Sequence, residues 1–406
     1  MNRPIKKGIY IFIIFALLLG IFTGGVFFGY SQRPEIEKAV GVINKDKEKP
    51  ANIDFEPFWK TWNIIDEKFA SSDGLDNQKK VWGAIEGMVN SLGDPYSTFF
   101  PPGKSKMFEE DISGNFEGVG MEITVKDGAL TIVSPLKNSP AEKAGLKPGD
   151  KILKINDEMT VNMTSDDAAQ LIRGPRGTKV KLLIVRESKD IPFEVEIVRD
   201  VINIPVLNTE SKPGGIFIIK LYNFGGTSTT AFRAALREFI LSGNDKLILD
   251  LRNNPGGYLE AAVDIASWFL PAGKIITKET FATGDENVYR SKGYDIFNNL
   301  PIVILINNGS ASASEILAGA LQEYKTARLV GVKTFGKGSV QELIPVTKDT
   351  SLKLTIAQWL TPDGKSISKG GLEPNIKVEM TEKDKESNRD PQMDKAIEIL
   401  MSTLRF

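Results

Sequence analysis

The sequence predicts an α/β core preceded by a smaller β-rich domain, which is itself inserted after an N-terminal helical segment, and one membrane-spanning helix at the N-terminus. Residues 8–30 form a single uncharged apolar run. Between residues 115 and 185, apolar and polar residues alternate in short segments, the pattern of strands with one face exposed. After residue 201, continuous Ile, Leu and Val runs alternate with helical patterns, as in a sheet covered on both faces.

The apolar run at residues 8–30 is long enough to cross a membrane. Its 23 residues, at about 1.5 Å each, give a helix of about 34 Å, and a hydrocarbon core is roughly 30 Å thick. Three basic residues within the first seven positions favour a cytoplasmic N-terminus. A cleaved signal peptide is the alternative, although the run ends in a poor cleavage site. We therefore expect an uncleaved single-pass anchor in the cell membrane, with the rest of the chain in the periplasm or at the cell exterior.

A linker and helices are predicted after the anchor. Residues 31–52 are polar and are typical of a flexible linker. Residues 53–92 contain two stretches in which apolar residues recur at spacings of three and four, which predicts an amphipathic helical hairpin. A short amphipathic helix is predicted at residues 393–404. The apolar faces of these terminal helices are compatible with a homodimer.

The composition excludes several classes of catalytic site. The 406 residues include no histidine and no cysteine. A Ser-His-Asp triad, a Cys-His dyad and a thiolate or imidazole zinc site are therefore impossible, and no metal and no cofactor is predicted. The formal net charge is −1 with both signs mixed along the chain, so nucleic acid is not an expected partner. For nucleophilic chemistry, lysine is the leading candidate for the base.

The β-rich segment resembles a PDZ domain. The resemblance rests on an alternating strand at residues 116–123, on Ser139-Pro-Ala-Glu-Lys-Ala-Gly-Leu-Lys-Pro-Gly-Asp150, and on a helix at residues 165–173. In that family, a glycine-containing loop offers backbone N–H groups to a peptide's terminal carboxylate, and the peptide adds to the sheet as a strand. By position, this loop consists of Gly118, Val119, Gly120 and Met121. The resemblance implies that the C-terminal tails of substrate proteins bind there.

Ser312 lies at the start of a predicted helix that follows a buried strand at residues 301–306. Ser312-Ala-Ser-Glu315 fits a capping box, so helix capping alone explains the serine. The position also suits a nucleophile, because free N–H groups and the helix dipole stabilise developing negative charge. The N–H of Ala313 is then a candidate arm of an oxyanion hole. Both interpretations stay open from these residues alone.

The turn Arg252-Asn-Asn-Pro-Gly-Gly257 also connects a buried strand to a helix. It therefore leaves the carboxyl edge of its strand, where the catalytic loops of open α/β sheets gather. Glycine lets a backbone N–H approach a substrate closely, so Gly256 or Gly257 is the candidate second oxyanion donor. A plain strand-to-helix turn is the alternative explanation.

Lys337 lies between two glycines, 25 residues after Ser312. Flanking glycines give backbone room to a lysine in a crowded site. To act as a base near neutral pH, a lysine must lower its pKa from about 10.4 to about 7, which burial can achieve. Gln341 is the candidate for orienting the neutral amine. In an ideal strand, residues 337 and 341 lie about 13 Å apart, so their contact requires a kink or a helical turn, which Gly338 would permit.

With these residues in place, the chain resembles the C-terminal processing peptidases, or tail-specific proteases, of the serine–lysine type. The resemblance covers nearly everything after residue 53 and rests on the PDZ-like segment and on these motifs in this order: Leu92-Gly-Asp-Pro-Tyr-Ser97, Asp250-Leu-Arg-Asn-Asn-Pro-Gly-Gly257, Ser310-Ala-Ser-Ala-Ser-Glu315, Thr334-Phe-Gly-Lys-Gly-Ser-Val-Gln341 and Thr361-Pro-Asp-Gly364. It assigns the nucleophile to Ser312, the general base to Lys337 and the orienting glutamine to Gln341. It assigns the oxyanion donors to Ala313 and the Gly256-Gly257 turn.

The resemblance implies a membrane-anchored serine endopeptidase that cleaves proteins near their C-termini by acyl transfer. The PDZ domain would hold the tail and, in this family, can also gate the site. Arg173 is a candidate contact between the two domains, with a plain exposed arginine as the alternative. The expected segments are a cytoplasmic stub and anchor at 1–30, a linker at 31–52, a helical segment at 53–103, a PDZ domain at 104–190, a serine peptidase core at 191–380 and a helical extension at 381–406.

Two other functions fit part of the sequence. A membrane-anchored PDZ scaffold or holdase would bind tails without cutting them, with Ser312 acting only as a cap. A crotonase-like acyl transferase also uses paired backbone donors between strand and helix, but it needs a coenzyme pocket and does not explain a PDZ domain. The Ser-x-x-Lys arrangement of penicillin-type enzymes is excluded, because here the serine and lysine are 25 positions apart.

Overall fold

The computed structural model describes residues 19–23, 53–70, 76–113, 115–187, 189, 191–203, 205–294, 296–297, 299–368 and 370–402. The chain divides into two compact units, Met1–Asp76 and Asn77–Phe406. The predicted linker and most of the predicted anchor lie outside the described residues, and residues 19–23 are helical and exposed. Within the described ranges, no helix is both long enough and apolar enough to span a bilayer.

The first unit contains helix α1 (Glu56–Lys68), which carries a cluster of aromatic side chains. The Phe58 ring meets the rings of Phe55 and Trp59 edge-to-face, with centroids 5.9 and 4.9 Å away. None of the residues of α1 is buried. The second helix of the predicted hairpin, α2 (Asn77–Asn90), belongs to the second unit.

The β-rich part of the second unit follows a short strand, β1 (Thr98–Phe100), and helix α3 (Lys104–Ser113). Its elements are β2 (Asn115–Gly118), β3 (Met121–Lys126), β4 (Ala129–Pro135), α4 (Pro140–Lys143), β5 (Lys151–Ile155), β6 (Glu158–Met159), α5 (Ser165–Ile172), β7 (Lys179–Val185), β8 (Phe193–Val198) and β9 (Asp200–Asn203). An antiparallel sheet has the order β3-β4-β5-β7-β8, with β6 paired to β5, and β2 pairs with β9. Strand β3 therefore lies at a sheet edge, and α5 packs beside it.

The α/β core is built on a second, mostly parallel sheet. Its strands are β10 (Leu207–Lys212), β11 (Ile216–Leu221), β12 (Lys246–Asp250), β15 (Ile302–Ile306), β16 (Ala327–Gly331) and β19 (Ile376–Lys377), in that order across the sheet. All neighbouring pairs are parallel except β10 with β11. Continuous Ile, Leu and Val strands such as β15 form here because both of their faces are buried.

The two faces of this sheet are covered by different helices. Helices α6 (Ser228–Ser242), α7 (Leu259–Ala266) and α8 (Ala313–Glu323) pack on one face. Helix α10 (Pro391–Met401), which follows the short α9 (Glu382–Glu386), packs on the other. Alternate residues of β15 point to opposite faces of the sheet. Ile304 packs in the core beneath α6, α7 and α8, and Val303 packs in the core beneath α10.

A third, antiparallel sheet completes the core. It contains β13 (Ile275–Phe281), β14 (Glu286–Arg290), β17 (Ser339–Pro345) and β18 (Ser351–Leu360), in the order β1-β18-β13-β14 with β17 also paired to β18. Residues 332–338 run from β16 of the parallel sheet to β17 of this one. The structure thus confirms the predicted mixed α/β core with a β-rich domain before it.

Candidate active site

Ser312 sits on a strained turn between strand β15 and helix α8. Its φ and ψ are 54° and −116°, a conformation that a residue with a side chain rarely adopts. Three hydrogen bonds hold the turn there, two between backbone groups and one from a backbone N–H to a side chain. Ala311 N–H donates to Asn254 O at 3.0 Å, Ile316 N–H donates to Ser312 O at 3.0 Å, and Ser312 N–H donates to Glu315 Oε2 at 2.9 Å. The serine therefore projects from the carboxyl edge of the parallel sheet, where it was predicted to lie.

Glu315 joins the serine turn to the lysine segment. Its side chain is fully buried, and its carboxylate accepts four hydrogen bonds. Oε2 accepts the backbone N–H of Ser312 at 2.9 Å and that of Lys337 at 3.0 Å. Oε1 accepts Thr334 Oγ1 at 2.6 Å and Gly336 N–H at 2.7 Å. One buried side chain thus links Ser312 and Lys337, which are 25 residues apart in the chain.

The two glycines of the predicted oxyanion turn have different surroundings. A Cβ on buried Gly256 would lie 2.7 Å from Ala311 O and 2.8 Å from Ser312 Cβ, so this glycine allows the two turns to pack together. Gly256 N–H already donates to Asn254 Oδ1 at 2.9 Å. Gly257 is exposed. Within the described ranges, neither the Gly257 N–H nor the Ala313 N–H donates to an acceptor. Gly257 is therefore the better placed of the two donors.

The Lys337 side chain lies in a partly buried, aromatic environment. Its ammonium nitrogen is 5.4 Å from the centroid of the Tyr96 ring. Burial and the nearby charge of Lys353 lower the pKa of Lys337 from its ordinary value, while Glu315 and Asp94 act in the opposite direction. The lowered pKa favours the neutral amine, which is the form that accepts a proton.

The glycines on either side of Lys337 are required by close packing. A Cβ on Gly338 would overlap the backbone nitrogen of Ser368, and one on Gly336 would come within 3.0 Å of Gly371 N. Gly336 also has a φ of 88°, in the region that favours glycine. The segment therefore fits between its neighbours only with glycine at both positions.

Gln341 lies in β17 beside a register shift in its pairing with β18. This irregularity falls at the end of the stretch between residues 337 and 341. The side-chain nitrogen of Gln341 donates to Ser339 Oγ at 2.8 Å and to Thr355 Oγ1 at 3.3 Å. In the described part of the chain, Lys337 Nζ makes no hydrogen bond to Gln341 or to Ser312.

A partly buried arginine that sequence reasoning did not single out supports the glycine turn. Arg252 donates to both oxygens of Asp250 at 2.8–2.9 Å and, from Nη1, to Asp390 Oδ1 at 2.8 Å and to Gln392 Oε1 at 3.1 Å. Burial opposes its charge, but hydrogen bonds to the two aspartates outweigh burial and raise the pKa of Arg252. The start of α10 is thereby tied to the turn that carries the oxyanion candidates. The Asp-x-Arg spacing was the one local signal for this arrangement.

The predicted carboxylate loop lies between β2 and edge strand β3. Val119 is buried, and its carbonyl accepts Ala141 N–H at 2.8 Å. Gly120 has a φ of 74°, and a Cβ there would lie 2.6 Å from Ser139 Cβ. The loop thus packs against the start of α4 and leads into β3, the edge strand to which an added strand would pair.

Arg173 connects α5 to α3. Its Nη2 lies 2.6 Å from Asp111 Oδ1, and its Nη1 lies 3.6 Å from Glu110 Oε2. The guanidinium also lies over the Phe116 ring, 4.3 Å from its centroid. Only 17% of the side chain is exposed, so the alternative of a plain exposed arginine does not describe it.

Three family models match the chain. Peptidase family S41 matches residues 215–378, a PDZ domain matches residues 131–186, and the activating protease CtpB N-terminal domain matches residues 18–101. Together with the fold and the serine turn, these matches define the class: a serine peptidase core joined to a PDZ domain.

Named relatives make the assignment more specific. The carboxy-terminal processing protease CtpA of Bacillus subtilis is 41% identical over 305 residues, which are 75% of this chain and 65% of that protein. The carboxy-terminal-processing protease of Bartonella bacilliformis is 39% identical over 308 residues, which are 75% of this chain and 70% of that protein. The matched region thus spans about two thirds of the length of these relatives. The chain belongs to the carboxy-terminal processing proteases of peptidase family S41.

A solved structure shows the same fold. A photosystem II D1 C-terminal processing protease superposes with a TM-score of 0.52 at 25% identity, covering 85% of this chain and 97% of that one.

Proposed function

We propose that the protein is a membrane-anchored serine endopeptidase that cleaves proteins near their C-termini, with Ser312 as nucleophile and Lys337 as general base. Membership of the carboxy-terminal processing proteases supports the reaction class. The observation that carries the residue assignment is the buried Glu315 carboxylate, which accepts the backbone N–H groups of both Ser312 and Lys337.

The chemistry begins with a proton transfer. Neutral Lys337 Nζ takes the hydroxyl proton as Ser312 Oγ attacks the scissile carbonyl carbon. The carbonyl oxygen becomes an oxyanion, which accepts hydrogen bonds from the N–H groups of Ala313 and Gly257. Collapse of the tetrahedral intermediate breaks the C–N bond, and the Lys337 ammonium protonates the leaving amine. Water then repeats the cycle on the acyl-enzyme, with Lys337 again as the base, and regenerates the Ser312 hydroxyl.

The lysine must come within hydrogen-bond reach of the serine for this transfer, at about 2.6–3.2 Å. In the structure its ammonium rests on the Tyr96 ring. Gln341 lies on β17, four residues after Lys337, and is the residue that would orient the amine. Its side chain would then exchange its hydrogen bonds to Ser339 and Thr355 for one to Lys337.

The PDZ domain is proposed to hold the tail of the substrate. The tail would add to edge strand β3, with its terminal carboxylate at the loop Gly118-Val119-Gly120-Met121. The match to a PDZ domain and the unpaired edge of β3 within the described sheet support this role. Arg173 forms an ion pair with Asp111 of α3. It is the proposed contact through which tail binding controls the peptidase site.

Membrane attachment belongs to the same proposal. The apolar run at residues 8–30 and the basic residues before it favour an anchor with the peptidase on the extracytoplasmic side. Exposed apolar side chains on and beside α1, Ile65 and Phe69 among them, support a homodimer. Alkaline extraction of membranes and light scattering of the purified chain test these two points; release by alkali or a monomeric mass would contradict them.

The decisive experiment uses the purified full chain and unfolded proteins with apolar or charged C-termini, with mass spectrometry to locate cleavage. Ser312→Ala and Lys337→Ala should each lower the rate by about 10⁴-fold or more while tail binding persists. Robust cleavage by the Lys337→Ala protein would remove the lysine as base. A scaffold or holdase would bind tails and cleave nothing in the unaltered chain.

A further inference from the structure

Lys353 is a second partly buried lysine near the candidate site. It lies on β18, and its ammonium nitrogen is 5.6 Å from the Phe100 ring centroid and 5.2 Å from that of Phe108. These two rings stack on each other, 4.6 Å apart. In the part of the chain that the structure describes, this ammonium makes no hydrogen bond and no ion pair. Burial of this ammonium without an ion-pair partner costs solvation free energy and lowers the pKa of Lys353. A group kept at such a cost is a candidate for a functional role.

One short segment carries both lysine ammonium groups on aromatic rings. Tyr96 lies beneath Lys337, and Phe100, four residues later, lies beneath Lys353. The segment is fixed to β18, because Thr98 pairs with Lys353 and Ser97 Oγ accepts Thr355 N–H at 3.0 Å. The two cations therefore share one wall of the core.

The charged groups around Lys337 act in opposite directions. Glu315 and Asp94 favour its protonated form, but the Glu315 oxygens already accept four hydrogen bonds. Asp94 accepts a hydrogen bond from Ser97 Oγ at 2.6 Å, and its charge favours the protonated form of both lysines. Among the described residues, Lys353 is the cation that opposes these two carboxylates at Lys337. Two nearby lysines in a partly dry site do not both hold a proton easily.

We propose that Lys353 is a positioning residue for the catalytic lysine: its ammonium, kept on the Phe100 and Phe108 rings, repels a proton on Lys337 and so favours the neutral amine that attack by Ser312 requires. Burial lowers the pKa of Lys353 as well, and Asp94 opposes that effect. The two rings also stabilise the Lys353 ammonium, so in this proposal the proton that the pair retains stays on Lys353. This proposal rests on the proposed role of Lys337 as general base.

The test compares Lys353→Met, Lys353→Arg and the unaltered full chain in kcat/KM against pH. Loss of the charge makes Lys337 easier to protonate, so the rising limb moves to higher pH. At a pH on that limb, Lys353→Met should lose about tenfold in kcat/KM and recover to near the unaltered rate at the alkaline plateau. Lys353→Arg keeps the charge and should keep the limb. Lys348→Met, at an exposed turn, is the matched control.

A second readout does not depend on cleavage. In Ser312→Ala protein, the rate at which acetic anhydride labels Lys337, followed by peptide mass spectrometry, reports its neutral fraction at each pH. In the double variant Ser312→Ala/Lys353→Met, the titration of Lys337 should move to higher pH. The proposal is overturned if the titration does not move, or if Lys353→Met loses the same factor at every pH, as a purely structural role predicts. Activity retained by Lys337→Ala would instead refute the proposed function.

Discussion

The two sides of the candidate site are held by different forces. On the nucleophile side, formed by Ser312, Ala313, Gly256 and Gly257, backbone hydrogen bonds and glycine contacts fix a strained turn. On the base side, Lys337 lies over the Tyr96 ring, and the charges of Lys353, Glu315 and Asp94 act on it in opposite directions. The first side therefore sets where the reacting atoms lie, and the second sets which protonation state the base adopts. Substitutions on the nucleophile side should lower activity by the same factor at every pH. Substitutions on the base side should lower activity by a factor that depends on pH.

Apart from removal of the nucleophile itself, the largest effect on the nucleophile side is expected for Gly256→Ala. The new Cβ would lie 2.7–2.9 Å from backbone atoms of the serine turn. Since the turns must separate, we expect a loss of about 10²–10³-fold in kcat/KM at all pH values and of about 2–4 kcal/mol in unfolding free energy. Gly284→Ala, also at positive φ but in open space, should cost about 1 kcal/mol and leave activity intact. Wild-type cleavage by Gly256→Ala would show that the turn is not part of the site.

Glu315→Gln tests the group that the two sides share. The amide nitrogen would face backbone N–H groups that now meet a carboxylate oxygen. Leaving buried donors without an acceptor should lower the unfolding free energy by about 2–4 kcal/mol and kcat/KM by about 10–100-fold. Urea denaturation and peptide cleavage measure the two effects. Glu142→Gln is the control, because that exposed carboxylate also accepts a backbone N–H, at 2.6 Å, and should matter little. Equal effects of the two changes would contradict the linking role.

The base side should reveal itself in the pH dependence of stability. Because the pKa of folded Lys337 lies below its ordinary 10.5, the unfolded chain binds more protons between these two values. Unfolding free energy should therefore rise with pH across this window, by at most about 1.4 kcal/mol per pH unit, and level off above it. Lys337→Met should remove this component, whereas Lys348→Met should not. Urea titrations at a series of pH values decide; identical pH profiles for both variants would exclude a perturbed Lys337.

The smallest effect is expected outside both sides, at Arg173. Arg173→Ala removes the contact with α3 and should slow cleavage of tail-bearing proteins by about two- to tenfold, with little change for short peptides. Arg176→Ala, whose ion pair with Asp200 is mostly exposed, is the matched control. Identical rates for both variants and the unaltered chain would separate the PDZ domain from control of the site.

The nucleophile side was the more accessible to sequence reasoning. A buried apolar strand, a glycine or serine turn and an amphipathic helix are local patterns, and parallel strands bring such turns to one sheet edge. Ser312 and the Gly256-Gly257 turn were predicted in this way. Which of the two glycines has an unengaged N–H depends on the Asn254 side chain, and that contact is visible only in three dimensions.

The base side depends on contacts that no local pattern encodes. Sequence reasoning treated Glu315 as half of a capping box, whereas its carboxylate also binds a segment some twenty residues later. Lys353 drew no attention, because an isolated lysine in an amphipathic strand is usually a solvated residue. Arg252 and Asp390 are 138 residues apart, and only the packing of α10 brings them together.

The backbone conformation at Ser312 has a consequence for the whole chain. A φ of 54° with a ψ of −116° suits glycine far better than serine, so the residue proposed for the chemistry is also one that weakens the fold. Ser312→Gly should therefore melt at a higher temperature than the active chain, while Ser312→Ala should not. The serine needed for activity thus lowers thermal stability. The Ser312→Gly variant would be the more thermostable protein in which to capture an uncut substrate.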